Sequence, residues 1–454
     1  MTAGQTFDLA VRGGEVVTPD GRRRANVYVA GGRIAAVTPE RHDAAESVDA
    51  AGLLVMPGMV DAHVHFMDPG DTAREEFATG SAAALRAGVT TVVEHTHVAP
   101  VITAADLEAK REHVAARSRT DFALAAHAWP DRLDEVPGVW RAGACFLKAF
   151  TCTTHGVPGF APADLHALFK CAAACHAVCL VHSEEESLVD RAERRLRAAG
   201  RADPGIVPEW RTRAAEQTAL AIVGTLARIT GVRAVAAHVS HPDALEVVRR
   251  ERAAGAHVAI ESCPQYLALR EGEILEHGAF RKFTPPARAR DPQELDAMWR
   301  ALAAGDIDLM SSDHAPATPE QKRDGSIWDV HFGLPGVDTT MSVLLDGAHR
   351  RRIAYERVVA AYAEAPARTY GLFPAKGSLR SGADADLALV DPEQRWTVRD
   401  EDVLSKAGWS PYAGRTLVGR AVRTYLRGAL AASDGEVLAA PGCGRFVPGS
   451  GPRS

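Results

Sequence analysis

Between residues 58 and 370, short apolar runs alternate with longer stretches in which apolar residues recur at helical spacing. We count eight such runs, and each has the length and continuous apolar character of a buried parallel strand. The runs are MVDAHVH, GVTTVVEHT, DFALAAHAW, ACFLKAF, AVCLVHSE, VRAVAAHVS, HVAIESC and IDLMSSDH. Eight strand–helix alternations predict a closed (β/α)8 barrel, the TIM barrel, rather than an open sheet.

The two ends of the chain follow a different pattern. Short strand-like segments separated by glycine turns fill the first 57 residues, as in DLAVRGGEVV, and they return late in the chain, as in RTLVGRAVRTYLRGAL. We therefore predict a small β-sandwich domain built from both termini, residues 1–57 and 371–440, beside a catalytic barrel over 58–370. Residues 441–454 are rich in Gly, Pro and Ser and are expected to form a flexible tail.

Composition narrows the functional classes. With 46% hydrophobic and 24% charged residues the chain is typical of globular proteins, and its formal net charge of −6 disfavours binding of nucleic acid through a general basic surface. There is no run of about 18 apolar residues, so no membrane contact through a span is expected. The N-terminus lacks a secretory pattern. We expect a cytoplasmic protein whose seven cysteines are free thiols.

Polar residues stand at the C-terminal end of nearly every predicted strand. They are His63 and His65, Glu94 and His95, His127, Lys148, His182, His238, Glu261 and Asp313. Barrel enzymes carry their chemistry at that end of the strands, so the pattern predicts one active site at the barrel mouth. Polar residues that only mark the passage from strand to loop would not account for so many His and Lys at equivalent positions.

Four of the histidines are candidate metal ligands. His63 and His65 are two residues apart on a strand, so their side chains point to the same face. Two converging imidazoles form part of a site for a divalent metal. His182 and His238 end the fifth and sixth predicted strands and bring two more imidazoles to the same mouth. Either one alone would more often be a structural histidine; the set of four favours a metal.

A carboxylate and a lysine complete the candidate site. Asp313, in SSDHAP, can ligate a metal and take a proton from water, although an aspartate after a strand is also a common helix N-cap. Lys148, in CFLKAF, would be costly to bury as a cation. It can reach the surface, pair with an acid or lose its charge, and a neutral amine can add carbon dioxide to become a carbamate anion that bridges two cations.

Six segments together resemble one known family. GMVDAHVHF, FLKAF, LVHSE, AHVSH, ESCPQYL and SSDHAP look like the cyclic amidohydrolases, the group that contains allantoinase, hydantoinase/dihydropyrimidinase and dihydroorotase. The resemblance extends over nearly the whole chain. It implies a hydrolase that opens a C–N bond of a small cyclic amide or ureide, and it implies a homo-oligomer, a dimer or a tetramer.

The resemblance also implies a centre of two divalent metal ions, usually zinc. The implied ligands are His63, His65, Lys148, His182, His238 and Asp313. The first two histidines and the aspartate would hold one ion, the last two histidines the other, and the carboxylated lysine would bridge them. The aspartate would also be the catalytic proton carrier.

Local patterns bear on which ring is opened. Thr153 stands five residues after Lys148, where hydantoinases usually carry a tyrosine, and this pattern and the phrase WSPYAGRTLVGRAVRTYLRG resemble allantoinase. The glutamine of ESCPQYL and the phrase GLPGVDTTM are more similar to hydantoinase. We expect an allantoinase, with a hydantoinase or dihydropyrimidinase as the alternative. Dihydroorotase is less favoured because residues 66–70 lack its substrate-binding arginine, although Arg74 lies nearby.

Three residues are expected to contact the substrate: Thr153, Thr284 in FTPPARA, and Gly333. The last two match family segments that contact the ring amide, although Thr284 could equally be a turn residue before two prolines. Two functions of other classes are disfavoured by the intact ligand set. A non-catalytic scaffold would have lost its metal ligands, and a related barrel deaminase would lack the bridging lysine.

Overall fold

The computed structural model of the chain describes residues 7–350 and 352–449. The first strands are β1 Phe7–Arg12, β2 Glu15–Thr18, β3 Gly21–Arg24, β4 Asn26–Ala30, β5 Arg33–Thr38, β6 Ala44–Asp49 and β7 Leu54–Pro57. Gly31 and Gly32, with φ of +58° and +74°, make the tight turn between β4 and β5, as their left-handed conformations allow. One sheet has the order β5-β4-β1-β6, and β2, β3 and β7 belong to another.

A set of parallel strands follows. They are β8 Met59–Val64, β9 Val89–Glu94, β10 Asp121–Leu124, β11 Ala126–His127, β12 Leu147–Phe150, β13 Val178–His182, β14 Arg233–Ala236, β15 Val258–Ser262 and β16 Leu309–Met310. Each of the eight predicted runs contains one of them, and the third run contains both β10 and β11. Neighbours pair in parallel from β8 to β10 and from β11 to β16. Val64, at the end of the first strand, forms a parallel bridge with His314, which follows the last.

Helices connect the parallel strands and cover them. They are α1 Phe77–Arg86, α2 Ala104–Ala115, α3 Val136–Arg141, α4 Pro162–Ala174, α5 Glu186–Ala198, α6 Ile206–Trp210, α7 Arg213–Thr230, α8 Pro242–Ala253, α9 Pro264–Ala268, α10 Glu273–His277, α11 Pro292–Ala304, α12 Pro319–Arg323, α13 Thr340–His349, α14 Tyr355–Val359 and α15 Ala365–Thr369. The 3₁₀ turns are Leu133–Glu135, Gly278–Arg281 and Asp400–Asp402, and Ala360–Glu364 is a π-helical turn.

The longest helix shows why these segments start and stop where they do. The hydroxyl of Thr212 accepts the amide of Ala215 at the start of α7, and Gly231 ends it in the left-handed conformation. Within residues 7–350 and 352–449, no helix combines the length and the apolar character needed to cross a bilayer. In the same part of the chain none of the seven cysteines is in a disulfide.

The C-terminal strands return to the N-terminal ones. They are β17 Leu387–Thr397, β18 Thr416–Leu426, β19 Ala429–Ser433 and β20 Glu436–Val437. Their sheet has the order β20-β19-β18-β17-β7-β2-β3, so it contains strands from both ends of the chain. An apolar cluster separate from the main core draws Leu9 and Val27 from the first sheet and Val55, Leu389 and Tyr425 from the second.

The segment 441–449 differs from the expected flexible tail, because it is hydrogen-bonded along β10. The amide of Phe122 donates to the carbonyl of Arg445 at 2.9 Å, and the amide of Val447 donates back to the carbonyl of Phe122 at 2.8 Å. The rings of Phe446 and Phe122 lie 5.8 Å apart. The amides of Gly442 and Gly444 also donate to the carbonyl of Ser118, and the amide of Gly449 donates to the carbonyl of Gly143. Residues 450–454 of the predicted tail and 1–6 of the predicted β domain lie outside the described residues.

Candidate active site

The six predicted ligand residues line one pocket at the carboxyl ends of the parallel strands. They are His63, His65, Lys148, His182, His238 and Asp313. The first histidine lies in β8, the lysine in β12 and the third histidine at the end of β13, while the others follow their strands within three residues. Residues separated by up to 250 positions in the chain therefore meet at one point.

Two histidines and the aspartate form one half of the site, which we call the His63 group (His63, His65 and Asp313). Nε2 of His63 lies 3.2 Å and Nε2 of His65 lies 3.5 Å from Oδ1 of Asp313. The outer nitrogens already have partners: Nδ1 of His63 lies 2.7 Å from Oε1 of Glu261, and Nδ1 of His65 donates to the carbonyl of His95 at 3.1 Å. Such outer contacts orient an imidazole and leave its inner nitrogen available to a metal.

The other half is the His182 group (His182 and His238). Nδ1 of His182 lies 3.0 Å from Nε2 of His238. The second nitrogen of His182 is held by Oε2 of Glu184 at 3.0 Å. The backbone amide of His238 donates to Oε1 of Glu261 at 3.2 Å, so the carboxylate that orients His63 also supports this half.

Strained backbone turns two of these residues into the pocket. His238 has φ of +39° and Asp313 has φ of +49°, a left-handed conformation that residues other than glycine seldom adopt. Such conformations cost about 1–3 kcal/mol and cluster at functional sites. Both follow the ends of parallel strands, where the chain must leave the sheet while its side chain still faces the pocket.

Burial sets the charge state of the site. Desolvation, assisted by the nearby Lys148, lowers the pKa of His63 and of His65 well below the usual range, so both rings are neutral at pH 7. Burial lowers the pKa of Lys148, although Asp313 and Glu261 oppose that shift. Burial raises the pKa of Asp313 to about 7. Neutral imidazoles expose the lone pairs that a divalent metal requires.

The donor chemistry of the pocket fits a metal. Imidazole nitrogens with a carboxylate oxygen are the donors that zinc and similar ions prefer. Among the described residues, His63, His65 and His95 present ligand nitrogens within 4.8 Å of one another. A second acidic cluster, Asp121 with Asp384 and Asp386, is already occupied by a cation, because the ammonium of Lys376 contacts all three carboxylates.

Comparison with known proteins identifies the family. The model of the Amidohydrolase family matches residues 54–413. The chain belongs to the amidohydrolase family. It is 37% identical to an allantoinase of Rubrobacter xylanophilus, over 97% of each chain, and 33% identical to an L-hydantoinase of Paenarthrobacter aurescens, over 97% of this chain and 98% of the other. The resemblance inferred from six sequence segments is confirmed.

A solved structure shares the fold. The L-hydantoinase (dihydropyrimidinase) from Arthrobacter aurescens aligns with a TM-score of 0.93 and 31% identity, covering 98% of this chain and 100% of that one. This amidohydrolase therefore has the mixed α/β fold of the hydantoinase structures.

Two of the three predicted substrate contacts of this amidohydrolase lie in the pocket. Thr284 and Gly333 line it, and the hydroxyl of Thr284 donates to Oε2 of Glu184 at 2.8 Å. Thr153 does not join them: its side chain is exposed, and its hydroxyl accepts the amide of Gly159 at 3.2 Å. The loop after β12 turns that side chain away from the pocket.

Two further histidines, both close in sequence to predicted strand ends, belong to the pocket. His97 and His155 line the pocket with their rings stacked 4.5 Å apart. Arg74 is not among the lining residues, because its Nε donates to the carbonyl of Pro316 at 2.8 Å, and Nη2 lies 3.5 Å from the carbonyl of Phe332. It supports the backbone of the pocket wall.

Behind the pocket of this amidohydrolase lies a buried charge network that sequence analysis missed. Oε2 of Glu184 accepts from Arg211 at 2.9 Å, and Oε1 accepts from Arg288 at 2.6 Å. Arg288 reaches on to Oε2 of Glu216 at 2.5 Å. The only signal in the sequence was that Glu184 follows the strand-ending His182 by two residues.

Proposed function

We propose that the protein is a metal-dependent hydrolase that opens the ring of a small cyclic ureide, with allantoin as substrate and allantoate as product. The observation that carries this proposal is the meeting of four imidazoles, a buried lysine and a buried carboxylate in one pocket. That donor set suits ions that activate water for hydrolysis. The 37% identity to an allantoinase over 97% of the chain supports the choice of ring.

We infer that the parallel strands close into a (β/α)8 barrel and that the two terminal sheets pack as a β-sandwich. The bridge between Val64 and His314 supports closure, because it joins the first strand to the segment after the last. The apolar cluster drawn from both terminal sheets supports the sandwich. We propose 58–370 as the barrel, and 1–57 with 371–440 as the β domain.

We propose two divalent ions, Zn²⁺, as the cofactor, one held by the His63 group and one by the His182 group. The orientation of the rings supports this, because the outer nitrogens of His63 and His65 and one nitrogen of His182 are already bound by other groups. When bound, such ions supply Lewis acidity toward the ring carbonyl and toward water.

Lys148 is proposed to carry a carboxyl group on Nζ and to bridge the ions. Its burial favours the neutral amine, whose nitrogen forms a bond to carbon dioxide and then releases one proton. The resulting carbamate is an anion. Nζ of Lys148 lies 3.4 Å from Nε2 of His63. An anion at this position suits a site for cations better than an ammonium does.

Asp313 is proposed to carry the proton. Water adds to the ring carbonyl carbon, the C–N bond breaks, and Asp313 takes a proton from the attacking water and gives it to the leaving nitrogen. Its Oδ1 faces the inner nitrogens of His63 and His65, which supports a role for this carboxylate next to the proposed metal site. No residue forms a covalent bond to the substrate in this scheme.

Thr284 and Gly333 are proposed to bind the ring amide. The hydroxyl hydrogen of Thr284 is already donated to Glu184, so the oxygen is left to accept a ring N–H. The amide of Gly333 donates to the carbonyl of Lys282 at 3.1 Å, so its carbonyl is the group that remains for the substrate. Both therefore act as acceptors for the N–H groups of a cyclic ureide.

The second candidate function is hydrolysis of hydantoin or a dihydropyrimidine, which the TM-score of 0.93 with an L-hydantoinase favours. His97 and His155 bear on the choice, because imidazoles in the pocket lining can bond the ureido group of allantoin but gain nothing from an apolar substituent. Dihydroorotase remains the least supported activity, since the guanidinium of Arg74 already donates to the carbonyl of Pro316.

We also propose a cytoplasmic homo-oligomer, a dimer or tetramer.

Turnover of the zinc-loaded protein on allantoin, hydantoin, dihydrouracil and dihydroorotate tests the choice of substrate. We expect kcat/KM for allantoin to exceed the others by at least about tenfold, equivalent to 1.4 kcal/mol in the transition state. A preference for hydantoin or dihydrouracil would support the second candidate. Absence of turnover on all four by protein that holds two ions would refute both choices of ring.

A further inference from the structure

His95 is a buried histidine without a role in the proposed reaction. It follows β9 and is 1% exposed, and within the described residues neither ring nitrogen has a hydrogen-bond partner. A neutral imidazole carries one donor and one acceptor nitrogen. Leaving such a group unpaired in the interior costs about 1–3 kcal/mol. The ring is therefore unfavourable where it lies unless something binds it.

The neighbours of His95 are the histidines of the His63 group. Its ring centroid lies 4.5 Å from that of His63 and 4.4 Å from that of His65. One ligand nitrogen of each of the three lies within 4.8 Å of the other two. Nitrogens bound to one zinc ion at about 2.1 Å can be at most about 4.2 Å apart, so the three nitrogens are close to the spacing that a shared ion requires.

The nitrogens of the three rings are not equally free. Nδ1 of His63 is held by Glu261, and Nδ1 of His65 by the backbone carbonyl of His95, whereas both ring nitrogens of His95 are unpartnered. A neutral imidazole keeps one lone pair on a ring nitrogen. Three lone pairs can thus face one cation.

We propose that His95 is a third imidazole ligand of the metal ion held by the His63 group. The inference rests on the proposed two-ion site and extends its ligand set. With His95 the group has three imidazoles and the carboxylate of Asp313, enough for a complete tetrahedral shell. The His182 group has two imidazoles and relies on the bridging lysine. The two ions are therefore bound unequally, and the ion of the His63 group does not depend on Lys148.

The test is the metal content of the full-length protein when the bridge has been removed. Lys148→Ala, dialysed without short carboxylic acids and loaded with Co²⁺, is expected to keep about one ion per chain. The double variant Lys148→Ala/His95→Phe is expected to lose more than about 100-fold in Co²⁺ affinity, beyond the 10–100-fold that loss of an outer-shell partner causes. X-ray absorption on the single variant should count three imidazoles around the cobalt.

His127 provides the matched control. It is 2% exposed and its ring nitrogens are also unpartnered, but among the described residues it belongs to no three-ligand group. Lys148→Ala/His127→Phe should therefore keep its ion, and circular dichroism verifies the fold of each variant. Loss of both ions in Lys148→Ala, or equal affinity with and without His95, would overturn the inference.

The metal content of the wild type separates this inference from the proposed function. If the wild type binds two ions and the ion that Lys148→Ala keeps does not depend on His95, only the role of His95 is refuted and the two-ion proposal stands. Fewer than two ions in the wild type would count against the two-ion proposal, while His95-dependent binding of one ion would still support the inference.

Discussion

Glu184 and His182 are joined by a 3.0 Å hydrogen bond in which Nε2 of the ring donates to Oε2 of the carboxylate. Burial opposes ionisation of Glu184, yet Arg211, His182 and Arg288 hold its pKa well below the usual range. An ionised carboxylate only accepts hydrogen bonds, so the ring proton stays on Nε2. The lone pair of His182 is then on Nδ1, the atom that faces His238 across 3.0 Å.

This contact predicts that Glu184→Gln weakens binding of the ion proposed for the His182 group. The glutamine amide can donate as well as accept, so it no longer fixes the ring proton, and removal of an outer partner typically costs 10–100-fold in metal affinity. Titration of the metal-free variant with Zn²⁺ should show one site weakened by about that factor. Glu185→Gln, one residue along and bonded to Ser187 and Leu188, is the control. Equal affinity in the two variants would contradict the prediction.

Removal of Lys148, the proposed bridge between the ions, is expected to abolish turnover. Lys148→Ala should lose at least about 10³-fold in kcat, equivalent to about 4 kcal/mol of transition-state stabilisation. Short carboxylic acids such as acetate should restore part of the activity, because they can occupy the space of the carbamate. A variant that turns over normally without added acid, and holds two ions, would show that no carboxylated lysine is needed.

The proposed role of Asp313 as proton carrier predicts a selective loss of kcat. Asp313→Asn keeps an oxygen near His63 and His65 but cannot accept a proton, so kcat should fall by about 10²–10⁴-fold while KM changes little. Metal analysis of the same preparation should find the second ion unchanged. If kcat stays within tenfold of wild type at pH 7, another group carries the proton.

The buried histidines predict acid sensitivity. Burial lowers the pKa of His127 well below 6.5, so below pH 6.5 the unfolded chain takes up a proton that the folded chain does not. The stability that the neutral His127 ring contributes is therefore present above pH 6.5 and is lost as the pH falls below that value. His127→Leu should remove about 1.4 kcal/mol of the loss between pH 7.5 and 5.5. Chemical denaturation of wild type and variant at both pH values measures this difference, and an equal pH-dependent loss in the two proteins would contradict the prediction.

Much of the framework could be predicted because it depends on local pattern. Continuous apolar runs such as the one around Lys148 indicate buried parallel strands, and a polar residue that ends a run marks the side on which the strands carry chemistry. His63 and Lys148, 85 positions apart, lie within 3.4 Å for that reason. The order of the apolar runs along the chain was sufficient to predict this proximity, without knowledge of any long-range contact.

The remaining features of the site depend on tertiary contacts, which leave no periodic signal in the sequence. Arg211 and Arg288 reach Glu184 from loops far along the chain, and only the folded structure brings them together. Thr153 does not line the pocket: its side chain is exposed and its hydroxyl accepts the amide of Gly159, a contact that no local pattern predicts. The pairing of Phe446 with β10 was not predicted, because two apolar residues within a stretch rich in Gly and Pro are typical of a loop.

Gly333 offers a test of the pocket wall. It has φ of +116°, and a Cβ there would lie 2.0 Å from the carbonyl oxygen of Ala315. Gly333→Ala must therefore displace this part of the pocket wall, and with it the carbonyl that we propose binds the substrate. A displacement of about 1 Å can cost 10²-fold, and we expect kcat/KM to fall by about that factor. Gly325 has φ of +129° but no atom within 3.4 Å of such a Cβ, so Gly325→Ala carries equal backbone strain without the collision. Steady-state kinetics on both variants decides the matter, because equal losses would assign the effect to strain and not to the wall.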